Sequence, residues 1–237
     1  MTRTIREEIF DVLYENLINI KPEYEGRSVV LCPICLREIT REEINSGGVE
    51  HIISQSIIAN DENAIRNGIS KNQRCGITVL CRSTREINGR PVAQGCNGFK
   101  GSIYDGLFKN LFDSSPHNQM ALSQRHRVAM LIMAYLGAFQ RYGYGYILRP
   151  EFDEIREQFD NPDQELTQCL RSTSYKQNRR IVQVVTDILG HPFMFFELPH
   201  QLSVHFRRCR VFLPPILKGH KLVRSLATLN INRIQVE

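Results

Sequence analysis

The chain has 237 residues, of which 42% are hydrophobic, and a formal net charge of +5. That length suits one or two domains with a sizeable buried core, and the apolar content excludes a chain disordered throughout. The longest apolar run, Val128 to Phe139, is too short to span a bilayer, and Arg3, Arg6, Glu7 and Glu8 stand where a signal peptide needs apolar residues. The expectation is a cytoplasmic protein with no membrane partner.

Ile5, Ile9, Leu13 and Leu17 recur at helical spacing across residues 3–20, Thr4 and Glu7 have capping-box spacing, and Lys21-Pro22 closes the helix. Ser28 to Leu31 reads as a strand leading into Cys32-Pro33-Ile34-Cys35. Gly47-Gly48 marks a turn before a branched run, Val49 to Ile53, that suits a strand. Ser56 to Ile69 reads as a loop with one helical turn, and Ile77 to Leu80 as a second strand ending at Cys81. Arg82 to Gly95, with Asn88-Gly89 and Arg90-Pro91, reads as an inserted loop.

From Cys96 to Phe112, Phe99, Ile103, Leu107 and Leu111 give a helix starting near Asn97. Ser114-Ser115-Pro116 is the expected domain joint. Beyond it come a long helix over Gln119 to Tyr142, a short acidic helix over Phe152 to Phe159, and strands at Ile181 to Leu189, Phe193 to Leu198 and Val204 to Leu213. The tyrosines in Arg141-Tyr142-Gly143-Tyr144-Gly145-Tyr146 read first as core and turn residues, with base stacking as the lesser alternative.

Charge is unevenly placed. Residues 198–236 hold Arg207, Arg208, Arg210, Lys218, Lys221, Arg224 and Arg233 and no acid, whereas Glu151 to Glu165 is strongly acidic. A basic stretch fits a polyanion, and a solvated strand or subunit contact explains it equally well. His205 and the neighbouring arginines are the candidates for tracking a phosphate backbone.

Seven cysteines in a chain without a secretory signal favour metal binding over disulfides. Cys32 and Cys35 have the C-x-x-C spacing with which two sulfurs grip one tetrahedral zinc, and Cys75, Cys81 and Cys96 compete for the other two places. Cys81 and Cys96 are favoured because one ends a strand and the other opens a helix. Cys75 then becomes an accessory thiol, while Cys169 and Cys209 read as buried apolar residues.

Glu50-His51 sets a carboxylate beside an imidazole. The carboxylate suits a hard divalent metal, and neutral histidine suits removal of a proton from water. Adjacent strand residues face opposite ways, so the two can serve one site only where the strand bends or ends. Asn97 would add a neutral oxygen from the first helical turn, leaving positions on Mg²⁺ or Mn²⁺ open for phosphate oxygens. Lys100, one turn on, would meet an adjacent phosphate.

Cys32-Pro33-Ile34-Cys35, Glu50-His51-Ile52-Ile53, Val79-Leu80-Cys81 and Cys96-Asn97-Gly98-Phe99-Lys100-Gly101, in that order, resemble the HNH endonucleases. The segment from Val49 to Ser56 is also similar to the same element in the HNH domain of RNA-guided CRISPR nucleases. The resemblance covers about a third of the chain, from Cys32 to about Asp105. It implies a zinc-stapled ββα-metal core over residues 31–113; with the elements read above, the expectation is an α+β protein with an N-terminal helix in residues 1–30 packed on that core and a mainly helical extension with a basic tail over 117–237, ending in short strands. It further implies His51 as general base, Glu50 and Asn97 as ligands of a catalytic Mg²⁺ or Mn²⁺, and Cys32, Cys35, Cys81 and Cys96 around a structural Zn²⁺.

The implied activity is hydrolysis of phosphodiester bonds in DNA, in restriction or phage defence, alone or beside an ATPase subunit as in Septu-like systems. The alternatives are an RNA- or tRNA-cleaving enzyme and a non-catalytic zinc knuckle that binds nucleic acid or protein. The chain departs from the family pattern at three points. Glu50 replaces the commoner aspartate, Ser54 replaces a common proline, and no asparagine stands at the usual distance before the second strand end, Asn72 being the nearest but early.

Overall fold

The computed structural model describes residues 4–58, 68, 70–83, 85–87, 90–92, 95–113, 122–165, 174–175, 192–207, 209–218 and 224–229. The expected joint at 114–116, the strand over 181–189, Cys169 and Arg208 lie outside them.

Helix α1 (Ile5–Ile20) starts on the expected capping box: Thr4 accepts from the Glu7 amide, and Glu7 returns to the Thr4 amide. Its buried stripe of Ile9, Phe10, Leu13 and Leu17 packs on strand β1 (Val29–Leu31). β1 pairs antiparallel with β2 (Glu38–Thr40), a strand the sequence pattern does not announce because only Ile39 of its three residues is buried. The short helix α2 (Arg41–Glu43) and a π-turn, Ile44–Gly48, then lead into β3 (Val49–His51).

Helices α3 (Gln55–Ile58) and α4 (Lys71–Cys75) precede β4 (Ile77–Val79). β3 and β4 pair antiparallel with Val49 opposite Val79, Glu50 opposite Thr78 and His51 opposite Ile77. The insertion before Gly95, expected as loop, contains an antiparallel pair of strands, β5 (Arg85–Ile87) and β6 (Arg90–Val92). Helix α5 (Gly95–Lys100), a π-turn (Gly101–Asp105) and α6 (Gly106–Asp113) follow. The chain order around the candidate residues is therefore strand, strand, helix.

Helix α7 (Gln124–Tyr142) is the axis of the molecule. Every residue from Val128 to Gln140 is buried, the condition of a helix enclosed on all sides. It packs against α6, the π-turn before it, β4, α8 (Tyr144–Ile147), α9 (Asp153–Asp160), and two C-terminal strands, β9 (Gln201–Phe206) and β10 (Cys209–Leu213). With β7 (Ser174–Tyr175) and β8 (Met194–Leu198), these strands form an antiparallel sheet in the order β7-β10-β9-β8.

One expectation is corrected here. The strand expected over Val204 to Leu213 is the inner hairpin of this sheet, turning at Arg207, whose φ of 52° is left-handed. The turn leaves the apolar-basic alternation intact on both sides, so the pattern alone does not reveal it. The tyrosines at 142, 144 and 146 are core residues, all buried. Among the described residues, no helix is long and apolar enough to cross a membrane.

Candidate metal centre and nuclease site

The C-x-x-C turn joins β1 to β2. The Cys32 amide donates to the Arg37 carbonyl and the Leu36 amide to the Cys32 carbonyl, with Leu36 at φ 57°. Two tyrosines of the helical half hold this knuckle. The Tyr135 hydroxyl donates to the Pro33 carbonyl, and the Tyr144 hydroxyl donates to the Leu31 carbonyl while accepting from the Leu31 amide. Burial raises both phenols above the ordinary tyrosine range.

Cys81 follows β4, and Cys96 opens α5. Gly95 makes their approach possible: its φ is 57°, and a Cβ there would lie 2.4 Å from the Cys81 carbonyl oxygen. The Cys96 amide points at the Cys81 sulfur, 3.5 Å away, and the Asn97 amide donates to the Cys81 carbonyl.

The sulfurs of Cys32, Cys35, Cys81 and Cys96 all lie within 4.8 Å of one another. A tetrahedral zinc with Zn–S near 2.3 Å requires sulfurs about 3.8 Å apart, so the set fits a structural zinc. Contacts from Cys32, Cys35 and Cys96 hold the Cys81 thiol far below its ordinary range, whereas burial pushes Cys32 well above its own. Four sulfurs this close cannot all carry charge without a cation among them. Cys75 is buried and stands outside the set.

The β3–β4 ribbon divides the next two candidates between its faces. His51 is 8% exposed. Its Nε2 lies 2.8 Å from the Asn72 carboxamide oxygen and 3.0 Å from the Gln55 carboxamide nitrogen. Nε2 either donates to the Asn72 oxygen or, unprotonated, accepts from the Gln55 amide, and the shorter, more buried contact is the one to Asn72. That tautomer leaves the lone pair on Nδ1, which has no hydrogen-bond partner among the described residues.

Asn72 reaches His51 because helix α4, capped by Ser70 and Gln73, stands beside the end of β3. The spacing that looked early is absorbed by that helix. The Ser70-x-x-Gln73 capping box was the signal for it, unused in reading the loop.

On the other face, Glu50 meets the Lys100 ammonium at 3.3 Å. Lys100 is fully buried, and its Nζ also lies 2.8 and 3.1 Å from the two oxygens of Asp105. Lys100, expected at a substrate phosphate, has its ammonium enclosed here between two carboxylates. Asn97 sits half-exposed one turn before Lys100 on α5, the same helix face. Thr78, opposite Glu50 and so on its face, is 1% exposed, and its hydroxyl has no hydrogen-bond partner among the described residues. Sequence reading missed Gln55, Thr78 and Asp105 as members of this neighbourhood.

Of the basic residues of the C-terminal hairpin, Arg207 and Arg210 are described, and they do not form a solvated row. Arg207 is buried in the turn, and Arg210 donates to the Ser203 hydroxyl and stacks on Phe212 at 4.5 Å. No protein-family model, curated protein or solved structure matches this chain. The functional reading therefore rests on the residues themselves and on the motif resemblance they carry.

The donor set on the Glu50 face fits a hard divalent ion. An ammonium already sits between two carboxylate groups there, and a hydroxyl without a partner among the described residues faces the same way. Within a Mg²⁺ or Mn²⁺ site, Glu50 would be the charged ligand and Asn97 the neutral one.

Proposed function

We propose that the protein is a metal-dependent endonuclease of the HNH kind, hydrolysing phosphodiester bonds in DNA. The observation that carries the reading is the buried Asn72–His51 hydrogen bond at the last residue of β3, where the strand ends one residue after Glu50. A binding module gains nothing from an imidazole whose tautomer is fixed by a buried amide. A general base needs that arrangement, because the Nε2–H···O bond keeps Nδ1 free to take a proton from the attacking water.

Glu50 supplies negative charge where a divalent cation is needed, and Asn97 adds a neutral oxygen donor from α5. When bound there, the metal would offset charge developing on the phosphate and its 3′ leaving oxygen. The four-cysteine cluster fixes α5 against the ribbon, since Cys81 leaves β4 and Cys96 begins the helix bearing Asn97. Restriction or phage defence, alone or with an ATPase subunit, is the biological setting this chemistry suits by analogy.

The test is cleavage of supercoiled plasmid and single-stranded RNA by purified protein and His51→Ala, in Mg²⁺, Mn²⁺ or EDTA. The expected result is metal-dependent nicking or linearisation of the plasmid, lost in the variant while zinc content is retained. Cleavage undiminished in His51→Ala removes the histidine from the mechanism. Cleavage confined to RNA moves the substrate class.

A further inference from the structure

Lysine is almost never fully buried unless it is paired, and Lys100 is paired twice. The backbone makes the second pairing possible. In a regular α-helix, residues five apart point about 140° away from each other. The π-turn Gly101–Asp105 breaks that geometry directly after Lys100, and its i→i+5 bonding stacks Asp105 over Lys100. The interruption brings a second carboxylate to the face that Glu50 occupies.

The charges here do not balance. Two carboxylates, 21% and 17% exposed at Glu50 and Asp105, face one ammonium, which leaves one negative charge uncompensated within this trio. The Thr78 hydroxyl, buried and without a partner among the described residues, adds a neutral oxygen with a lone pair to offer. Two carboxylates on one ammonium, with the Thr78 hydroxyl on the same face of the ribbon, are oxygen donors of the kind a divalent cation takes.

We propose that Glu50 and Asp105 form a divalent-cation site whose resident cation in the resting molecule is the Lys100 ammonium, so that Mg²⁺ or Mn²⁺ enters as Lys100 withdraws. The proposal deepens the metal-dependent reading above, on which it rests for the role of Glu50, and it adds Asp105 and Lys100 to the machinery. Once withdrawn, the ammonium requires a new anion, and a backbone phosphate at the mouth of the site supplies one. Metal loading and nucleic-acid binding then favour each other, which restrains a nuclease that has no substrate.

The experiment is a Mn²⁺ titration of the zinc-loaded protein followed by electron paramagnetic resonance, without nucleic acid. A site closed by its own lysine binds metal in proportion to the population with the lysine out. For an out-state of about 0.1 to about 10%, Lys100→Met should tighten Mn²⁺ binding by about tenfold to about a thousandfold. Asp105→Asn introduced into that variant should weaken it again, and Glu50→Gln should abolish this binding. Unchanged affinity in Lys100→Met, or no loss on adding Asp105→Asn, overturns the proposal. Lys100→Gln, which keeps a polar group against both carboxylates, answers the same question if the methionine variant does not fold. Because the readout is metal affinity, a failure of plasmid cleavage leaves it standing, and its own failure leaves the His51 test untouched.

Discussion

Replacing Asn72 by alanine tests the histidine arrangement without touching the ring. The carboxamide oxygen lies 2.8 Å from His51 Nε2, and both residues are buried. Leaving a buried donor without a partner costs about 1–3 kcal/mol. A tautomer shift that lets Nε2 accept from the Gln55 amide, 3.0 Å away, offsets part of that cost and puts the net near about 1 kcal/mol. In a chain of this size that lowers Tm by about 2–4 °C. The effect on the reaction should be larger, because the ring loses both its orientation and its preferred tautomer. General-base catalysis contributes about 10²- to 10⁴-fold, and a loss of about 10²-fold in single-turnover plasmid cleavage is expected. Asn72→Asp, whose carboxylate accepts the same Nε2 proton, should recover much of the rate. An unchanged rate in Asn72→Ala, or a lost rate accompanied by lost zinc, would refute the reasoning.

Cys81→Ser removes one of four sulfurs and should release zinc, with a fall in Tm matched by chelator treatment of the parent protein; metal analysis and melting curves decide this. Gly95→Ala places a Cβ 2.4 Å from the Cys81 carbonyl at φ 57° and should cost more than about 1 kcal/mol with loss of zinc, whereas a wild-type melt would contradict the crowding. Tyr135 and Tyr144 are raised above their ordinary range by burial, and Tyr142 is pushed up to about 12 by burial first and by the Glu197 charge second. Raised folded-state values contribute stability that is complete below the unfolded tyrosine value of about 10 and is lost as pH climbs toward about 12. Tyrosinate absorbance should therefore rise together with loss of circular dichroism, and ionisation ahead of unfolding would contradict the burial.

The sequence made legible those parts whose physics is local. The Thr4–Glu7 box, the C-x-x-C turn and the all-apolar run from Val128 each carry their own geometry, and the structure places a helix start, a knuckle and a buried helix there. The choice of Cys81 and Cys96 over Cys75 was also readable, because strand end and helix start are positions that can face a common point. What could not be read depends on irregular backbone. Asp105 joins Glu50 only because a π-turn shifts the helix phase, and helical periodicity carries no mark of that shift. Asn72 lies 21 residues from His51 and is aligned by a short capped helix inside a segment dense in asparagine, where one amide looks like another. The Arg207 turn was hidden because an even alternation survives a two-residue hairpin.

The central helix α7 gives the molecule a shared axle. The knuckle hangs from its Tyr135, β4 and α6 rest on its flank, and the C-terminal strands β9 and β10 press on it too. A solvent-facing seam between two halves would let each unfold on its own schedule, but a helix enclosed on all sides belongs to both at once. Cooperativity follows: opening the cysteine cluster releases the turn that Tyr135 grips, and the slack reaches strands more than a hundred residues further along the chain. Amide exchange in β9 and β10 is thus a remote gauge of whether the four sulfurs hold their ion.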